Sequence, residues 1–241
     1  MNRVKKITLT AIMTAICIVL NELVTIDIPP TSTPLMRLSL GIIPIFLTAY
    51  YAGIFYAALE GVLADILGFF IFSLGKFSFF PGFTLNALLS GLIIGFFVLI
   101  RKWMSTKKGL ITLIITDAFF AIVSCAVFSY MYIFKGVIEG SSIPLLIVLV
   151  GLSLLINMII IAYAIVTREK EDSNAIILAF IVYQYVVSLC LTPLWNNMLA
   201  GTMYFYQWVI RMVTVPLQIM IYVLISKLLI IPLNKILIRK K

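Results

Sequence analysis

The residues able to do chemistry in this 241-residue chain lie inside or at the edges of long apolar runs. Glu60 and Asp65 interrupt one run, and Asp117 interrupts another. A charge at the centre of a bilayer costs about 2.5–3.5 kcal/mol on insertion scales, so such groups face a bundle interior. Each has two readings. As working groups they belong to a ligand or ion path; as structural groups they tie helices together by hydrogen bonds. The structural reading is slightly favoured for Glu60 and Asp65 and clearly favoured for Asp117. Arg37 and Arg211 stand at the outer ends of two further runs. A guanidinium grips a carboxylate with two parallel N–H donors, but it also snorkels to lipid headgroups. The two readings weigh evenly here, while Lys76 reads as a solvated loop charge. Trp195 and Trp208 can stack a ligand ring, although an interfacial aromatic belt is the commoner use.

Catalytic chemistry finds little footing. The chain has no His, and hence lacks the commonest metal ligand and proton carrier. Its Ser residues have no local acid–base context. It has neither a Gly-rich lysine loop for phosphates nor a dinucleotide fingerprint, so it cannot hydrolyse ATP alone. Cys17, Cys125 and Cys190 are scattered in apolar runs and suggest neither a disulfide framework nor a metal site. The expectation is a binding protein, not an enzyme, with no metal and no cofactor.

The elements that must position these groups are transmembrane helices. Hydrophobic residues make up 63% of the chain and charged ones 11%, too few to cover a soluble domain of this size. Apolar runs near the roughly 20 residues of a bilayer crossing place helices at 7–27, 39–52, 54–73, 84–101, 109–134, 143–167, 174–195 and 207–232. The expected class is all-α: one polytopic helical bundle in contact with membrane lipid. The net charge of +9 collects at the membrane edges, not in a nucleic-acid-binding stripe. Arg3, Lys5 and Lys6, then Arg101, Lys102, Lys107 and Lys108, then Arg168 and Lys170, then Lys235, Arg239, Lys240 and Lys241 fall on one side if the eight segments alternate. That side is the cytoplasm, which places both termini there. The basic start reads as the flank of a retained helix, since no cleavage site follows.

The outer side then holds three connections. Residues 28–37 contain prolines that exclude a continuous helix. Residues 73–83 are rich in aromatics, and 193–207 carry Trp195, Asn196, Asn197, Tyr204, Tyr206 and Gln207. All three are expected as loops that lid a pocket for a flat, polar ligand. Small-residue steps at Ala11–Ala15, Ala57–Gly61, Ala64–Gly68 and Gly91–Gly95 permit close helix approach, though such steps arise readily by chance in a sequence this apolar.

Three stretches, 37–53 (opening Arg-Leu-Ser-Leu-Gly-Ile-Ile-Pro), 61–72 (opening Gly-Val-Leu-Ala-Asp-Ile-Leu-Gly) and 79–97 (opening Phe-Phe-Pro-Gly-Phe-Thr-Leu-Asn), together with 191–222, resemble the folate-type substrate-binding subunits, or S components, of energy-coupling factor (ECF) vitamin transporters. The most specific pieces are Phe80-Pro81-Gly82-Phe83-Thr84 and Arg211-x(4)-Pro216-Leu217-Gln218. The resemblance covers about 7–103 and 172–235, as the first four and last two helices of a six-helix core within a single membrane domain, 1–241. An extra helical hairpin is left at 109–167.

The resemblance implies a subunit that captures a vitamin, a folate or a related compound, from outside and delivers it by docking on a coupling subunit and two ATPases. It implies that Arg37, Phe80, Pro81, Gly82, Phe83, Thr84, Trp195 and Arg211 form the vitamin site, and that Ala11 and Ala15 form the docking face. Where the family has Leu-Asn-Thr-x-Trp, this chain has Leu-Thr-Pro-Leu-Trp (191–195), so the amide expected at Thr192 is gone. A stand-alone secondary transporter driven by protons or Na⁺ through Glu60 and Asp65 ranks behind, because no inverted repeat or broken helix pair is evident.

Overall fold

The computed structural model describes residues 2–28, 36–73, 79–135, 143–167, 172–201 and 204–237. Lys76, Arg168, Lys170, Arg239, Lys240 and Lys241 lie outside them, as do 29–35 and 74–78 of the first two expected loops.

The order of elements is α1 (Arg3–Glu22), β1 (Thr25–Ile28), β2 (Met36–Ser39), α2 (Ile42–Tyr51), α3 (Ile54–Gly68), α4 (Pro81–Leu99), α5 (Arg101–Met104), α6 (Lys107–Lys135), α7 (Ile143–Val166), α8 (Ser173–Tyr183), α9 (Thr192–Ala200) and α10 (Tyr204–Leu237). A π-helical turn, Phe69–Ser73, continues α3, and a longer π-helical segment, Gln184–Leu191, joins α8 to α9. Six candidate membrane spans occur among the described residues, with two shorter apolar helices, Ile42–Tyr51 and Val150–Val166. In a bilayer every backbone polar group must be satisfied within the chain, and helices do this locally.

The fold corrects three expectations. The first helix ends at Glu22, and Thr25–Ile28 pairs antiparallel with Met36–Ser39 in a two-stranded ribbon, Asp27 facing Arg37. The β-branched Thr25, Ile26 and Ile28 suit a strand. Residues 193–200 and 204–207 are helix, not loop. Thr192–Ala200 is helix, with Pro193 in its first turn, where a missing N–H costs nothing. Gly201 ends it at φ 64°, a left-handed conformation that favours glycine, and helix resumes at Tyr204. Residues 81–83 likewise open α4, again with proline leading.

The helices gather into two compact units: Met1–Leu99 with Met220–Lys241, and Ile100–Ile219. In the first, α3 and α4 pack backbone to backbone. A Cβ on Gly61 would stand 2.3 Å from the Ala87 carbonyl oxygen, one on Gly91 2.5 Å from that of Ala57, and one on Gly95 2.6 Å from Ile54 Cα. Only glycine allows this approach. Helix α1 is tied to the ribbon's end by Cys17 Sγ donating to the Gly41 carbonyl at 3.2 Å and by Ser39 Oγ donating to Asn21 Oδ1. The C-terminal half of α10 joins through Tyr51, which donates to Asn234 Oδ1 at 2.9 Å, and Tyr222, which donates to the Ser39 carbonyl at 2.8 Å. In the second unit the core is the buried run Ser173–Ile181 of α8, with Leu113, Ile160, Ala164, Met212, Val215 and Ile219.

Candidate functional site

The second unit holds polar groups where a membrane bundle ordinarily has none. On α10, Gln207, Arg211 and Gln218 are buried. Their spacing puts them on one helical face. Arg211 is 5% exposed, and its Nη1 donates to the Ser188 carbonyl at 3.1 Å and to Ser188 Oγ at 3.2 Å. A turn earlier, Gln207 Oε1 accepts from Asn196 Nδ2 at 2.9 Å. Further along, Gln218 Oε1 accepts from Gln184 Nε2 at 2.6 Å. The buried Ser153 of α7 donates to the Met212 carbonyl at 3.0 Å. One turn away, Asn157 Oδ1 accepts from the Tyr185 hydroxyl at 3.5 Å. A polar path therefore runs from α9 through α10 to α7 and the π-helical segment.

Local sequence explains the placement. In the π-helical segment the carbonyls run out of register with the usual ladder, and Thr192 Oγ1 donates back to the Val187 carbonyl at 2.8 Å. Such bulges release backbone acceptors and cluster at functional sites. Here the Ser188 carbonyl faces Arg211. Thr192, where the resemblance leads one to expect an amide, thus holds the bulge.

The expected site residues divide as follows. Arg211 is buried in this path, and Trp195 lies half-buried on α9, one residue from Asn196. In the first unit, Phe80, Gly82, Phe83 and Thr84 are half-buried and Pro81 is exposed. Phe80 and Phe83 meet edge to face with centroids 5.8 Å apart, and Thr84 Oγ1 donates to Asp65 Oδ2 at 2.6 Å. Arg37 has its backbone in β2, and its side chain lies outside the described residues. Ala11 and Ala15 are exposed on α1.

Of the intramembrane acids, Asp65 ties α3 to α4 through Thr84. Glu60 and Asp117 are fully buried, and neither carboxyl has a hydrogen-bond partner among the described residues. The Thr48 hydroxyl faces Glu60 without closing a regular bond. The tie that sequence favours for Asp117 is not formed among the described residues. Sequence reasoning missed Ser153, Asn157 and Gln184, and it singled out Gln218 only as the end of the 211–218 string. Their signal was available: amides at helical spacing inside apolar spans are costly and mark function.

Among the described residues, no group of three or more His, Cys, Asp or Glu side chains gathers to hold a metal. Six candidate membrane-spanning helices among the described residues define a helical membrane protein, and its second unit carries interior amides and a guanidinium.

A family model described as the S component of the ECF-type riboflavin transporter matches residues 1–171, and the chain belongs to that family. A curated relative, the folate transporter FolT of Clostridium novyi (strain NT), is 35% identical over 88 residues, 34% of this chain and 49% of the relative. The chain thus spans about half the length of the curated relative it matches. A crystal structure of FolT bound with folic acid shares the fold, with a TM-score of 0.56 at 20% identity over 93% of this chain and 92% of that one.

Proposed function

We propose that this chain is the folate-binding subunit of an ATP-driven ECF uptake system. It captures the vitamin at the outer face and delivers it by docking on a coupling subunit served by two ATPases. The observation that carries the ligand reading is Arg211: a guanidinium inside an apolar span, held by Ser188 and lined up with Gln207 and Gln218. Such a group suits an anionic molecule with hydrogen-bonding edges, and folate joins a flat pterin to an acidic tail. Arg37, Phe80, Pro81, Gly82, Phe83, Thr84 and Trp195 carry over by position as further ligand residues, and Ala11 and Ala15 as the docking face. Their exposure suits a face that meets a partner helix. Both termini are cytoplasmic in this reading, and the hairpin of α6 and α7 is an addition to the six-helix core.

A second reading, riboflavin, is favoured by the description of the matching family. Calorimetric titration of the detergent-solubilised protein with folate and with riboflavin separates the two. Folate is expected to bind tightly without ATP. Arg211→Ala is expected to remove about 1.5–3 kcal/mol, a tenfold or greater loss, by deleting a charge-assisted hydrogen bond. A flat folate titration with a clear riboflavin isotherm overturns the folate reading.

A further inference from the structure

The polar path of the second unit ends at a group that no internal bond accounts for. Asp117 is 0% exposed on α6, and both its oxygens lack a hydrogen-bond partner among the described residues. Seven residues on, and so on the same helical face, Ser124 is buried with its hydroxyl equally unsatisfied. The ring of Tyr185 stacks on that of Phe120, one turn from Asp117, with centroids 4.5 Å apart and planes 2° from parallel. A buried carboxyl without a partner is destabilising, so stability does not explain its presence.

We infer that Asp117 recognises the aminopyrimidinone edge of a pterin, with Phe120 and Tyr185 as the aromatic wall beside it and Ser124 as an auxiliary hydroxyl. This rests on the folate reading and names the residue that decides it. A pterin presents two parallel donors on that edge, the ring N–H and the exocyclic amine. A carboxylate offers two acceptors side by side and matches them as it matches a guanidinium. A flavin presents one N–H between two carbonyls, whose oxygens meet the carboxylate oxygens in repulsion. Asp117 therefore selects pterin over flavin, because a wrong partner leaves buried polar groups unpaired. The order of charges agrees. Ser188, which holds Arg211, and Tyr185, which stacks on Phe120 of the helix that carries Asp117, lie on the same π-helical segment. A donor edge at Asp117 is thus followed along one helix by a cation for the acidic tail.

The test compares wild type, Asp117→Asn and Arg211→Ala, each the full chain in detergent, by calorimetric titration with folate, with pteroate (which lacks the glutamate tail) and with riboflavin. Asp117→Asn is expected to weaken folate and pteroate by one common factor of tenfold or more. Arg211→Ala is expected to weaken folate more than pteroate. The ligand-free melting temperature of Asp117→Asn is expected to be equal to or above wild type, since an unpartnered carboxyl is removed. If wild type binds folate and Asp117→Asn binds it equally well, the inference is overturned and the folate reading stands. If wild type binds no folate, both fall. A lowered ligand-free melting temperature with unchanged affinities makes Asp117 a structural group and likewise overturns the inference.

Discussion

Thr84 donates to Asp65 at 2.6 Å across α3 and α4, so the side chain placed at the ligand by family position already has an internal partner. Replacing it by Val leaves a largely buried carboxyl without its donor, which costs about 1–3 kcal/mol. Thr84→Val is expected to lower the melting temperature of the ligand-free protein, and Thr84→Ser to restore it. Lost folate affinity with an unchanged melting temperature would instead put Thr84 on the ligand. Glu60 differs, being fully buried and without a formed hydrogen bond. Glu60→Gln keeps the shape and removes the charge, so its melting temperature is expected at or above wild type. These single residues were legible as types and depths. Their partners were not, because a carboxylate's donor comes from another helix.

The seam of α3 and α4 shows what an element adds. Ala57–Gly61 and Gly91–Gly95 looked weak as motifs because small residues abound in the sequence. In the fold Gly61 meets Ala87, Gly91 meets Ala57 and Gly95 meets Ile54, all against backbone or Cβ. Backbone cannot step aside as a flexible side chain can. Gly91→Leu is therefore expected to destabilise the first unit by about 1–3 kcal/mol or more, read as a lower melting temperature, while the same change at Gly151, which meets nothing within 4 Å, leaves it near wild type. The ribbon of β1 and β2 and the helix α9 escaped the sequence reading for related reasons. Two four-residue strands are too short for an alternation to declare itself, and a proline that reads as a loop signal also opens helices.

At the scale of the molecule, the proposed division of labour makes docking and binding separable. Ala11→Trp with Ala15→Trp is expected to abolish co-purification with the coupling subunit and the ATPases while leaving folate affinity unchanged, because both positions are exposed on α1. Loss of both together would place α1 in the ligand site instead. Reconstituted alone in liposomes, the chain is expected to bind folate but not to concentrate it, and uphill accumulation would return the ion-coupled reading with Glu60 and Asp65 at its centre.

Amino-acid types alone determined that this protein lives in a membrane as a helical bundle, since runs of apolar residues leave the backbone no other way to satisfy its polar groups. They also carried the family, whose model matches residues 1–171 and so takes in the string at 80–84. Tertiary structure decided which interior groups are satisfied. Asp65, Arg211 and Gln218 found donors or acceptors on neighbouring helices, while Asp117 and Glu60 closed none among the described residues. A hydrogen bond depends on two atoms meeting within about 3 Å, and their meeting is fixed by how helices pack, which no single run of sequence contains.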